Sequence, residues 1–302
     1  MITTAESPAL DVKSAIRQWW ADYPMTYGDE HGNTEYNAGG ARVSLGTKEF
    51  FEKADETFYR WNEPRHGAEG PFSRLFDFKK YRGGRVLEVG CGMGCMAMNW
   101  ARQGASVTAV DLNPVSVAQT QRRFELFGLD GDIREADAER LPFADGTFDY
   151  VYSWGVLHHT PGTMQAIAEL HRVLKPGGQA GVMLYNRQSL LYRFLVRWQE
   201  GFVNLEGRAL DDIELASRYA DGERRDGNPH TWPVTKDEIR RDLFRDFDQT
   251  QIQVLGTDVP NVLNIWGNEL GTRVMSNSAV AALSRRWGWS LWMTGTKARG
   301  RP

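Results

Sequence analysis

The chain has 302 residues, 41% of them apolar and 25% charged, with a formal net charge of −3. These values suit a soluble globular protein with room for one large domain, or for one domain with additions. They give no reason to expect a polyanionic partner, and no basic stripe runs through the sequence, so no nucleic-acid partner is expected.

Met1–Pro8 lacks the basic start and apolar centre of a signal peptide, and no apolar run nears the ~20 residues that span a bilayer. A cytoplasmic location without a membrane partner is therefore expected. Residues 1–82 are rich in aromatics, Gly and charge, and read as an N-terminal helical lid. Trp19, Trp20, Tyr23 and Tyr27 fall together, and Phe50, Phe51, Ala54, Phe58 and Trp61 recur at helical spacing over Thr47–Trp61. Such a stripe is first of all a packing face, although some of these aromatics are candidates to close over a ligand, Tyr27 among them.

From residue 83 to 186 strands and helices alternate. The first strand is Arg85–Val89, and its helix Cys95–Gln103 stops at Gly104. The second strand, Ser106–Val110, ends in Asp111, and Asn113-Pro114 opens a helix reaching Phe127, a capping side chain followed by Pro in the first turn. A third strand spans Asp132–Glu135 and a fourth Phe148–Ser153. The helix Thr163–Leu174 runs out at Lys175-Pro176-Gly177-Gly178, before a fifth strand Gln179–Leu184. Alternation of this kind predicts a doubly wound, mostly parallel sheet covered on both faces. Residues 187–234 break the rhythm with a helical stretch Leu190–Phe202 and a polar loop Asp221–His230, read as a cap inserted after strand five. Residues 235–302 complete the core sheet: a capping-box pattern at Thr235-Lys236-Asp237-Glu238, a strand Gln249–Leu255, a last strand Ser290–Thr296 and a solvated basic tail of Lys297, Arg299 and Arg301.

The segment Arg85-Val86-Leu87-Glu88-Val89-Gly90-Cys91-Gly92-Met93-Gly94 carries the most information. An apolar strand holding one acid runs into a glycine-dense turn, where the backbone bends sharply and its N–H groups are open to a ligand. The two cysteines, Cys91 and Cys95, both sit there; they read as small side chains for close helix–sheet contact rather than as a disulfide or a metal site. Doubly wound sheets bind ligands at the carboxyl ends of their strands. Four segments converge at that edge: Gly90–Gly94, Asp111, Asp137-Ala138 and Ser153–His159. A carboxylate at Asp111 suits the two hydroxyls of a ribose, and Asp137 suits an adenine amino group.

Taken together, the motifs Val86–Gly94, Val110-Asp111-Leu112-Asn113, Asp137–Phe143, Phe148-Asp149-Tyr150-Val151 through Leu157-His158-His159, and Arg172–Gly178 resemble the class I S-adenosylmethionine-dependent methyltransferases. The likeness is to the small-molecule branch that includes the ubiquinone and menaquinone biosynthetic enzymes, and it covers residues 84–186. It implies a Rossmann-like sheet of seven strands, with the last antiparallel and set beside strand five. It implies S-adenosyl-L-methionine as cofactor. Gly90, Cys91, Gly92 and Gly94 would line the methionine part, Glu88 would help hold the amino group, and Asp111 would grip the ribose. Leu112 would pack by the adenine, Asp137 and Ala138 would hold its edge, and Ser153 would flank the methionyl chain.

The expected reaction is in-line methyl transfer to a small-molecule acceptor in an enclosed, aromatic-lined site. His158, His159 and His230 are the candidate bases, needed if the acceptor is a hydroxyl. Tyr27, Trp154, His158, Tyr185 and His230 are candidate substrate contacts, and Arg193 and Arg197, one helical turn apart, suit an anionic substrate group. No metal is expected, and a homodimer is allowed. Two other readings stand beside this one. The chain could be a catalytically silent partner protein of the same fold, or an NAD-dependent oxidoreductase. The oxidoreductase is opposed by Glu88 in the first strand and by Cys95 where the dinucleotide loop has its last Gly or Ala. Ser153-Trp154-Gly155-Val156 departs from the Asn/Asp-Pro-Pro-Tyr/Phe segment of nucleic-acid and glutamine methyltransferases.

Overall fold

The computed structural model describes residues 8–24, 35–38, 41–219, 227–256, 259, 262 and 275–299. The chain divides into two compact units. The first is Arg17–Ser153, Ala168–Ala180 and Lys297–Pro302, and the second is Met1–Ile16, Trp154–Ile167 and Gly181–Thr296.

Helix α1 (Pro8–Asp22) is followed by a hairpin of β1 (Glu35–Ala38) and β2 (Ala41–Ser44), which the sequence reading did not contain. Helix α2 (Lys48–Trp61) starts where expected because the Thr47 side chain accepts the Phe50 N–H, and its stripe Phe50, Phe51, Ala54 and Phe58 is buried. Trp61, at the end of that stripe, is exposed. Then come β3 (Arg85–Val89), α3 (Cys95–Arg102), β4 (Ser106–Asp111), α4 (Pro114–Phe127), β5 (Asp132–Glu135), β6 (Phe148–Trp154), α5 (Thr163–Val173) and β7 (Leu174–Tyr185). The Asn113 side chain accepts the Val115 N–H at 2.8 Å with Pro114 in the first turn, and Gly128 closes α4 in the left-handed conformation.

The sheet has seven strands in the order β5-β4-β3-β6-β7-β9-β8, with β8 at Asp248–Leu255 and β9 at Ser290–Thr296. The pairs β3–β4, β3–β6 and β4–β5 are parallel, and β8–β9 is antiparallel. The last strand therefore lies between strand five of the core and β8, as the family resemblance implied. Strands β3, β4 and β6 bury nearly every side chain, as strands covered on both faces must. In the first unit an aromatic mass packs around the fully buried Trp100: Phe78 at 4.6 Å between ring centroids, Tyr150 at 5.3 Å and Phe76 at 5.5 Å.

Two expectations change. Lys175-Pro176-Gly177-Gly178 is not a turn before the fifth strand but its first part, since β7 begins at Leu174. The pairing there comes from the end of the chain: Gly177 N–H donates to the Lys297 carbonyl and Lys297 N–H to the Gly178 carbonyl, both at 2.8 Å. For the same reason Lys297 is not part of a solvated tail; its ammonium also donates to the Arg172 carbonyl at 3.0 Å. In the second unit the stretch Leu190–Phe202 forms a wide π-type helix, Leu191–Val203, followed by α6 (Asp212–Tyr219). Among the described residues no helix is long and apolar enough to cross a membrane.

Candidate active site

The strand ends of the first unit assemble the glycine loop. Gly90 and Cys91 both donate to the Val110 carbonyl, at 2.8 and 3.1 Å, so the loop folds over the end of β4. Gly90, Gly92 and Gly94 all have positive φ, at 81°, 51° and 74°. At Gly92 a side chain would meet only open space, whereas a Cβ at Gly94 would lie 2.7 Å from the Thr120 methyl. Gly92 thus leaves open space where a side chain would stand, and Gly94 allows α4 to approach. Thr120 in turn donates to the Gly92 carbonyl at 2.9 Å and lies 3.6 Å from the Cys91 sulfur. Cys91 and Cys95 are both buried free thiols.

Asp111 accepts from Gly92 N–H and Asn113 N–H, each at 2.9 Å, one on each carboxylate oxygen. A carboxylate has about four lone-pair sites, so these donors do not exhaust its capacity to accept from a ligand hydroxyl. Burial raises its pKa, and the backbone donors from Asn113, Gly92 and Leu112 oppose the rise. Ala136 N–H donates to the Asp111 carbonyl at 2.9 Å, which brings Asp137 and Ala138 to the same edge; Leu112 is half-buried beside Asp111. The Asp137 carboxylate caps the Glu139 N–H at 2.9 Å. Ser153 is fully buried and its hydroxyl donates to the Val89 carbonyl at 2.8 Å, tying β6 to β3.

Glu88 is the outlier. It is buried in the middle of the sheet, opposite Tyr152 in register, and its Oε2 and the Tyr152 hydroxyl both lack a hydrogen-bond partner. Burial pushes its pKa up to about 8. A buried carboxyl oxygen without a partner is costly, and a ligand cation would satisfy it.

The second unit holds a ring cluster. His158 and His159 are buried with ring centroids 4.1 Å apart. Tyr185, at the end of β7, lies 3.9 Å from His158 and stacks on Trp289 at 4.5 Å. Neither ring nitrogen of His158 has a hydrogen-bond partner, and burial holds its pKa well below the usual value, so the ring is neutral. His159 Nδ1 lies 3.0 Å from the His230 carbonyl and 3.1 Å from the Thr231 hydroxyl. A carbonyl only accepts, and the Thr231 hydroxyl already donates to Asn228 Oδ1 at 2.8 Å. His159 Nδ1 therefore carries a proton and donates it to the His230 carbonyl.

Of the other substrate candidates, Trp154 packs against Trp292 at 5.6 Å, and His230 enters the cluster through its carbonyl. Arg193 and Arg197 do not belong to it: both are exposed, and Arg197 pairs with Asp212 at 3.0 Å. Tyr27 and the loop residues Asp221–Asp226 lie outside the described residues. Trp289, Thr231 and Asn228 were missed by the sequence reading; no local periodicity links them to His159.

A model of the methyltransferase domain matches residues 87–182. A phthiotriol/phenolphthiotriol dimycocerosates methyltransferase of Mycobacterium ulcerans is 34% identical over 228 residues, 74% of this chain and 78% of that protein. The chain belongs to the S-adenosylmethionine-dependent methyltransferases. A ubiquinone biosynthesis O-methyltransferase of Nitrosococcus oceani is 31% identical to this methyltransferase over 183 residues, 56% of the chain and 75% of that protein. The fold is shared with the PH0226 protein of Pyrococcus horikoshii, at a TM-score of 0.52 and 17% identity, over 93% of this chain and 98% of that one. The methyltransferase uses S-adenosylmethionine, and three features suit that cofactor: the unpartnered Glu88 oxygen, the open space over Gly92 and the remaining accepting capacity of Asp111.

Proposed function

We propose that this methyltransferase O-methylates a small, ring-bearing acceptor, with His159 Nε2 taking the proton from the acceptor hydroxyl. The observation that carries this reading is the hydrogen bond from His159 Nδ1 to the His230 carbonyl, which fixes the tautomer a base requires. S-adenosylmethionine supplies an electrophilic methyl group on a sulfonium.

The chain's residues do the remaining work. Glu88 holds the ammonium of the cofactor, Asp111 its ribose hydroxyls, and Asp137 and Ala138 its adenine edge. Gly90, Cys91, Gly92 and Gly94 line its methionine part, with Leu112 and Ser153 alongside. His158, Tyr185 and Trp154 supply ring faces to the acceptor. Burial of His158 and His159 supports a dry site, in which a hydroxyl needs a base. An aromatic or lipid-like acceptor accords with the names of the relatives in Nitrosococcus oceani and Mycobacterium ulcerans.

The test is a screen of phenols, amines and thiols with labelled methyl donor, run on wild type and His159→Asn. Asn keeps a donor near the position of Nδ1 and lacks Nε2. Phenol methylation should fall about a hundredfold in the variant with S-adenosylhomocysteine affinity unchanged. Equal turnover in the two proteins would remove His159 as the base.

A further inference from the structure

Arg123 is a fully buried guanidinium on α4. Its Nη1 donates to the Met93 carbonyl at 2.9 Å and its Nε lies 3.3 Å from the Met98 sulfur. Its Nη2 pairs with Asp55 of α2, and the guanidinium lies 5.1 Å from the Phe51 ring centre. Met93 is the residue between the last two glycines of the loop. Its side chain packs in one cluster with Val43, Phe50, Phe51 and Ala54, three of them on α2. Main chain and side chain of the same loop residue are thus both held by α2, one through Arg123 and one directly. All of these residues belong to the first unit.

A buried arginine keeps its charge only while paired, and its fork is planar. Asp55 fixes that plane from one side, and Arg123 then presents its other N–H to the Met93 carbonyl. Turned the other way, a loop reshaped by its ligand moves Met93, and with it the seat of α2.

We propose that the Asp55–Arg123 pair is a latch that couples the docking of helix α2 to the shape of the cofactor loop. Asp55 and Arg123 are positioning residues, acting on the cofactor through Met93. The coupling is reciprocal, as any equilibrium linkage between two sites must be. A docked α2 raises cofactor affinity, and a bound cofactor secures α2.

Hydrogen exchange on the wild-type protein tests this directly, with S-adenosylhomocysteine as the probe. Slowed exchange at Gly90–Gly94 reports that the ligand is bound, and slowed exchange at Phe50–Phe58 reports the latch. Protection of the loop with no change in the helix would overturn the proposal. Asp55→Asn gives the second reading. It should weaken S-adenosylhomocysteine binding about tenfold and raise KM for S-adenosylmethionine with kcat within about twofold. The double variant Asp55→Leu, Arg123→Met removes both charges at similar volume. It should regain thermal stability lost by the single variant while binding stays weak, because the Met93 carbonyl has then lost its donor, Arg123 Nη1. Wild-type affinity in a folded double variant would show that the pair serves packing alone.

Discussion

His158 is the residue that fits least well as plain structure. A fully buried ring with neither nitrogen bonded is poorer packing material than a phenyl ring. Such a group persists where a ligand completes it. His158→Phe should therefore leave the thermal midpoint unchanged or raise it, while acceptor turnover drops. A variant both more stable and fully active would remove the ring from the acceptor site. Gly94 makes the opposite case. Its φ of 74° already disfavours any side chain, and the Thr120 methyl would stand 2.7 Å from a new Cβ. Gly94→Ala should cost roughly 2 kcal/mol or more in denaturant titration and loosen the loop. Adding Thr120→Ser deletes the clashing methyl but not the φ penalty, so it should return part of that loss.

At the scale of elements, the loop after Asp137 and Ala138, proposed to hold the adenine edge, is clamped by the helix behind it. Arg172 of α5 donates to the Leu141 carbonyl at 2.9 Å and the Phe143 carbonyl at 2.7 Å, and pairs with Glu169 at 2.7 Å. Glu169 in turn accepts the Leu141 N–H at 2.8 Å. The segment that follows Asp137 and Ala138 is thereby pinned to α5. The Arg172 hydrogen bond is the main reason the Glu169 carboxyl sits below its ordinary pKa. A depressed carboxyl adds stability above its unfolded pKa and loses it as the pH falls through the folded value. Arg172→Ala should cost about 2 kcal/mol at pH 7 and less in acid, where the ion pair is lost but the Leu141 and Phe143 carbonyls still miss their donor, so the gap between the two unfolding curves should narrow without closing. A gap that stays constant from pH 7 to 3 would mean that the ion pair contributes nothing.

The same scale shows what the sequence reveals and what it hides. Strands β3, β4 and β6 are legible because they are short, mostly apolar runs between turn signals, and α2 and α4 because Thr47 and Asn113 cap them. The glycine loop and Asp111 are legible because their chemistry is local. The full length of β7 is not, because Pro176 and two glycines argue for a turn and the partner strand arrives from Lys297, more than a hundred residues later. The hydrogen bonds that fix His159 are hidden for the same reason, since His230 and Thr231 are distant in sequence. Arg193 and Arg197 show the converse: helical spacing places two cations together and says nothing about which way they face, and here Asp212 takes one of them.

For the molecule as a whole, Glu88 links stability, pH and ligand. Its folded pKa is raised by burial from 4.5 to about 8, so the ligand-free protein holds a proton there that the unfolded chain has lost. Between those two values the native state binds more protons than the unfolded one, and this group makes stability fall as pH rises. Glu88→Gln, uncharged throughout, should match wild type near pH 4.5 and exceed it at pH 8 in denaturant titrations without ligand. On the proposed role of Glu88, the cofactor ammonium reverses the balance, because the carboxyl must ionise to pair with it. Affinity for S-adenosylhomocysteine should then climb with pH from 6 to 7.5, by at most about tenfold per unit. The window stops there because an α-amino group itself begins to lose its proton near pH 8. Calorimetry in two buffers of different ionisation enthalpy should show a proton released on binding to wild type and none from Glu88→Gln. Equal proton release from the two proteins would assign the titration to another group and leave the unpartnered oxygen of Glu88 without its ligand.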